Sequence, residues 1–60
     1  MNRFAFELNT TVVIKVSGET GTVFGRAEYL HHENSYYVEY KAADGTAKQE
    51  WWGESKLQAA

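Results

Sequence analysis

The side chains that could do chemistry in this chain are few and poorly placed for it. The two histidines are neighbours, His31-His32, inside the turn-like run H-H-E-N. Imidazole titrates nearest neutral pH and is the commonest metal ligand, but adjacent turn or strand residues point in different directions and chelate one ion badly. A solvated turn is the better reading of the pair. Glu54-Ser55 sets a hydroxyl beside a carboxylate, with no base near it in the sequence to activate it. The run S-G-E-T-G at 17–21 has the glycines of a phosphate cradle. Its spacing fits neither the P-loop nor the dinucleotide fingerprint, no lysine closes it, and no helical pattern follows. With no cysteine, the chain has neither a thiolate nucleophile nor a disulfide framework nor a thiolate metal site. The expectation is a protein that is not an enzyme, with no catalytic residue, no metal and no cofactor, since sixty residues also leave little concave volume.

Rings are what the chain has in quantity: Phe4, Phe6, Phe24, Tyr29, Tyr36, Tyr37, Tyr40, Trp51 and Trp52. Each buries about 150–250 Å², the main source of stability for a domain that hides only about 60% of its unfolded surface. The stretch that must position them is Val23 to Tyr40, read as one β-hairpin turning at His31–Asn34 with Leu30 opposite Ser35. That register stacks Tyr29 on Tyr36, Ala27 on Val38 and Gly25 on Tyr40 on an inner face. It leaves Glu28 with Tyr37, Arg26 with Glu39 and Phe24 with Lys41 outside. Arg26–Glu39 would be a cross-strand pair of roughly 0.2–1 kcal/mol. Gly25, in the middle of a strand expected over 22–30, predicts a bend or bulge.

The remaining segments read as strands added to this hairpin. Residues 1–8 predict an extended leader, with Phe4, Phe6 and Leu8 on one face. The two phenylalanines would cover an open end of their own domain or cross to a second copy. Thr11–Val16 is β-branched, with Val12, Ile14 and Val16 inward and Lys15 in water. Ser17–Gly21 reads as a turn, and Asp44-Gly45 signals a second hairpin. A four-residue loop there sets Lys41 opposite Thr46, Tyr36 opposite Trp51 and Glu39 opposite Lys48. A two-residue loop would oppose Glu39 to Glu50, which is repulsive. Both registers turn Trp51 inward and Trp52 outward. Gly53–Leu57 predicts one 3₁₀ turn and a last short strand anchored by Leu57.

Eight acidic and six basic residues give a formal charge of −2, and no basic run occurs. That balance disfavours phosphate-driven nucleic-acid binding. No membrane-spanning stretch or signal-peptide pattern is present, so the expected location is the cytoplasm, the host's if the chain is viral.

The order of features resembles the SH3-like barrel group, especially Tudor and KOW modules. The match runs through G-E-T-G-T-V at 18–23, Y-x-V-x-Y at 36–40, D-G at 44–45 and W-W-G-E-S-K-L at 51–57, covering most of residues 8–58. It implies one all-β domain over 1–60: a small five-stranded antiparallel SH3-like barrel with a short 3₁₀ turn before the last strand. G-R-A-E-Y and W-W-x-E-S also resemble small phage or prophage proteins. Two departures count. The loop at 17–21 has no aromatic residue for a methyl-lysine cage, and it carries Glu19 where RNA-contacting KOW modules carry basic residues. Family spacing also buries the residue five before the leucine, Trp52, against the register above.

The resulting expectation is a non-catalytic binding module. Its exposed face would hold Phe24, Arg26, Tyr37, Glu39 and Trp52, engaging a protein partner or a second copy. Phe4 and Phe6 would make the dimer or leader contact. Two alternatives are a nucleic-acid binder using stacked rings with Arg3, Lys15, Arg26 and Lys41, and a structural self-assembling component.

Overall fold

The computed structural model describes residues 4–60. β-Branched and aromatic runs become five antiparallel strands in one sheet: β1 (Thr11–Ile14), β2 (Thr20–Ala27), β3 (Ser35–Lys41), β4 (Ala47–Gly53) and β5 (Leu57–Ala59). A single 3₁₀ turn, Glu54–Lys56, precedes β5, and there is no α-helix among the described residues. The strand order is β4-β3-β2-β1-β5. β4 and β5 therefore stand at opposite edges, and the sheet is open.

Period-two alternation fills one face with Val12, Ile14, Val23, Tyr36 and Val38, and Leu57 joins them from β5. Burying each aliphatic side chain contributes about 1.5–3 kcal/mol. Phe4, Phe6, Tyr40 and Trp52 pack around this cluster, half-buried. Residues 4–8, the described part of the leader, do not form a strand. Phe4 and Phe6 meet the Tyr36 ring edge-on at 6.0 and 5.2 Å, within their own chain, while Leu8 stays exposed. Its alternation ends because the Thr10 N–H donates to Glu7 O in a turn that passes through Asn9 at φ 70°, a conformation that asparagine tolerates. Val16 is also outside, 77% exposed, against the inward expectation. β1 stops at Ile14, whose carbonyl accepts the Ser17 and Gly18 N–H groups of the next turn.

The central hairpin forms with a different register. Val23 meets Val38 and Gly21 meets Tyr40, but beyond a break between Val23 and Gly25 the partners are Gly25–Tyr37, Arg26–Tyr36 and Ala27–Ser35. The bulge falls beside Gly25, as predicted, with Phe24 the extra residue. The connecting loop is seven residues, 28–34. Tyr29, expected on the inner face against Tyr36, is thus not a core residue and is 43% exposed. The expected Arg26–Glu39 pairing is also replaced, since Glu39 lies opposite Thr22. An extra residue on one strand flips the alternation beyond it. Arg26 consequently lands on the Tyr36 side of the sheet.

The second hairpin corrects the tryptophans. Lys41 pairs with Ala47, Tyr37 with Trp51 and Tyr36 with Trp52. Ala42 N–H donates to Thr46 O at 2.8 Å, enclosing the three-residue loop Ala43-Asp44-Gly45, with Gly45 at φ 89°. This is the three-residue hairpin whose last position needs a left-handed residue. Its length lies between the two- and four-residue loops, so every side chain of β4 changes face. Trp51 is outside and 53% exposed, and Trp52 packs on the core.

Candidate functional site

The outer face gathers the exposed rings. Bulged Phe24 on β2, Tyr37 on β3 and Trp51 on β4 lie side by side across three strands. Ring centroids are 4.5 Å apart for Phe24–Tyr37, and 4.9 Å for Tyr37–Trp51 with planes only 20° from parallel. Such pairs contribute about 0.5–1.5 kcal/mol beyond area burial, so the rings hold one another in a fixed platform. Phe24 remains 46% exposed. Beside the platform the same face becomes polar. Glu39 accepts a hydrogen bond from Gln49 Nε2 at 3.3 Å, and a shallow groove of about 310 Å³ runs past Thr11, Thr20, Thr22, Glu39 and Lys41.

Three of the five residues expected on this face are there: Phe24, Tyr37 and Glu39. Trp52 is not, and Trp51 takes its place. Arg26 is on the opposite side, its guanidinium 4.4 Å above the Phe4 ring and its Nη1 donating to Phe6 O at 3.3 Å. It clamps the leader instead of serving the outer face. Of the cations considered for nucleic acid, Lys15 and Lys41 are exposed, and Arg3 lies outside the described residues. The tryptophan exchange was readable in one signal, the family spacing that buries Trp52. The parity change at Arg26 had a signal too, the bulge expected at Gly25, but the uninterrupted register drawn through that glycine left it unused.

The candidate catalytic groups have structural duties. Ser55 donates to Glu33 through N–H at 2.8 Å and Oγ at 3.1 Å, tying the 28–34 loop to the 3₁₀ turn. Glu54 Oε1 accepts the Tyr36 hydroxyl at 2.5 Å, and that hydroxyl accepts the Ala5 N–H at 2.8 Å. His31 and His32 are exposed on the loop, with His32 edge-on to Tyr29. Among the described residues, no group of three or more His, Cys, Asp or Glu could hold a metal ion. No helix among them is long and apolar enough to cross a membrane.

The inner side sets an alkaline limit. Burial first, then the hydrogen bond to Glu54, raises the Tyr36 phenol above its ordinary 10.0. Tyr40 is raised by loss of solvation, then by Glu50. The unfolded chain therefore loses these protons first. Their stabilisation is intact below pH 10 and falls as pH climbs through the folded-state values. Denaturant midpoints measured from pH 8 to 11 should decline above 10, and Tyr36→Phe should flatten that decline.

Compared with protein-family models, curated proteins and solved structures, the chain matches none.

Proposed function

We propose that the chain is a non-catalytic SH3-like module that docks a protein through the outer ring platform. The observation carrying this reading is the ladder Phe24–Tyr37–Trp51, stacked across three strands with its two outer members about half exposed. Fixed aromatic surface lined by polar groups has the composition of an interface hot spot, because its burial gain comes with little ordering cost. The strand order and the 3₁₀ turn before β5 support the SH3-like assignment. The phage-like motifs G-R-A-E-Y and W-W-x-E-S extend the proposal to a host protein as the partner.

Charge favours protein over nucleic acid. Arg26 is committed to the leader and Glu39 lies beside the rings, so the groove next to the platform pairs its Lys41 with a carboxylate, which disfavours phosphates. Trp51→Ser is expected to cost about 0.5–1.5 kcal/mol of stability through the lost Tyr37 stack. It should cost about 2 kcal/mol or more of partner binding. The check is to capture the partner from the source cell or its host, identify it, and titrate it against wild type and variant at several salt concentrations. Unchanged binding by a folded Trp51→Ser variant overturns the site. A steep fall in affinity with salt overturns the protein partner in favour of nucleic acid.

A further inference from the structure

The platform ends at β4, the outermost strand on that side of the sheet. Ala42 N–H donates to Thr46 O, and Glu54 N–H to Asn34 O at 2.9 Å. Both bonds continue the β3–β4 ladder in which Tyr40 meets Lys48 and Tyr36 meets Trp52. Hydrogen-bonded and non-hydrogen-bonded pairs alternate along an antiparallel ladder. Lys48, Glu50 and Trp52 therefore turn their backbone groups toward β3, and Ala47, Gln49 and Trp51 turn theirs to the open edge. Edges of this kind are normally blunted by proline, a bulge, shortness or charged side chains. Of these β4 carries only the charges Lys48 and Glu50, which oppose pairing unless the partner strand neutralises them. β4 has seven residues, no proline and an unbroken register with β3.

Its side chains also select a partner. Lys48 and Glu50 share the inner face, one on each side of Gln49. A strand with that arrangement is complementary to itself run backwards. We propose that β4 pairs antiparallel with β4 of a second copy about a two-fold axis through Gln49. In this register Lys48 of each copy faces Glu50 of the other. The outward backbones of Gln49–Gln49 and Ala47–Trp51 form the ladder, each pair exchanging both N–H···O bonds. Ala47 of the second copy stands opposite Trp51 on the outer face, while the Trp51 ring stays over Tyr37, so the two platforms lie on one outer face. An axis at Lys48 or Glu50 sets like charges directly opposite, which is destabilising. An axis at Trp51 loses both charge pairs. The overlap is short beside the ~1,200–2,000 Å² of a stable interface, so the dimer is weak and concentration-dependent.

The test is sedimentation equilibrium from micromolar to millimolar protein, with folding of each variant checked by circular dichroism. Lys48→Glu, which puts carboxylates opposite each other twice, should raise the dissociation constant about tenfold or more. Adding Glu50→Lys should restore dimerisation by reversing both pairs. Gln49→Cys, the only thiol in that variant, should form an intermolecular disulfide, since a hydrogen-bonded antiparallel pair has Cα atoms about 5.5 Å apart. Ala47→Cys should not, because the axis leaves its two copies about 14 Å apart along the strands. A strict monomer at millimolar concentration overturns the proposal. So does a dimer indifferent to Lys48→Glu, or equal cross-linking at positions 47 and 49. These substitutions leave Phe24, Tyr37 and Trp51 in place, so the outcome is separable from that for the ring platform.

Discussion

Tyr36→Ala is expected to remove about 3–5 kcal/mol of stability, the usual cost of emptying a large buried aromatic site. A sixty-residue domain has in total about 3–9 kcal/mol to lose. Tyr36 is fully buried, and three separate parts of the fold converge on it. Phe4 and Phe6 pack edge-on against its ring, so the leader is held largely by this side chain. Its hydroxyl joins Glu54 of the 3₁₀ turn to Ala5 of the leader. Arg26, opposite it on β2, closes over Phe4. Alanine leaves no ring for the leader to cover and removes the hydroxyl donor of the Glu54 carboxylate, which keeps only the longer bond from Ala5 N–H at 3.4 Å among those described. Urea titration should show the midpoint falling by half or more, and proteolysis near residues 4–10 should accelerate. A midpoint within a few tenths molar of wild type would show that the leader contributes little to the core. Tyr36→Phe separates the two contributions: it keeps the ring and removes the hydroxyl, at about 1–3 kcal/mol for the groups left unpaired.

Gly21→Ala should also be costly, although only a methyl group is added. Gly21 is a buried β2 residue, and its backbone is extended. A Cβ at this position would lie 2.6 Å from Val38 Cγ1 and 2.7 Å from Glu39 O, well inside contact distance. Val38 is a fully buried β-branched side chain and Glu39 O belongs to the β3 backbone, so neither can move aside cheaply. Overpacking of this kind costs about 1–3 kcal/mol, and Gly21→Val should exceed that range. Thermal melts would check both, with a loss of about 4–8 °C for each kcal/mol in a domain of this size. Gly18→Ala is the contrast: its Cβ meets nothing within 4 Å, and only the strain of φ 77° opposes it. If Gly21→Ala melted like wild type, the β2–β3 separation would have to be wider than the structure shows.

Gly21 also illustrates a reading that local pattern misassigns. Paired with Gly18 in S-G-E-T-G it signals a turn, and Gly18 is indeed in one, at positive φ. Gly21 is there because β3 passes close to it, a fact that belongs to Val38, Glu39 and Tyr40, far along the chain. The faces of β3 were legible for the opposite reason. Tyr36, Val38 and Tyr40 alternate with Tyr37, Glu39 and Lys41, and no bulge interrupts them. Val12, Ile14 and Val23 were legible as core by the same alternation, which failed only at Val16, and Leu57 was legible as the anchor of the last strand.

The ring platform was half legible. Phe24 and Tyr37 were expected outside and are there, because local alternation fixes each on its own strand. Their neighbour was misjudged because the parity of β4 depends on loop length, and Asp44-Gly45 suits loops of two, three or four residues alike. The three-residue loop was decided by its closure, with Ala42 bonded to Thr46 and Gly45 left-handed. One residue of length exchanged Trp51 for Trp52 at the exposed position. The bulge at Phe24 did the same for Arg26, taking it from a surface pair with Glu39 to a stack on Phe4.

Sequence alone was enough for the all-β class, the central strands, the 3₁₀ turn and most of the aliphatic core, with Val16 the exception, because each follows from composition or from alternation within a few residues. Tertiary structure decided which aromatic rings are exposed, where Arg26 points and which strand edge is left open. Those depend on the parity of a bulge and a loop, where a single residue reverses every side chain that follows.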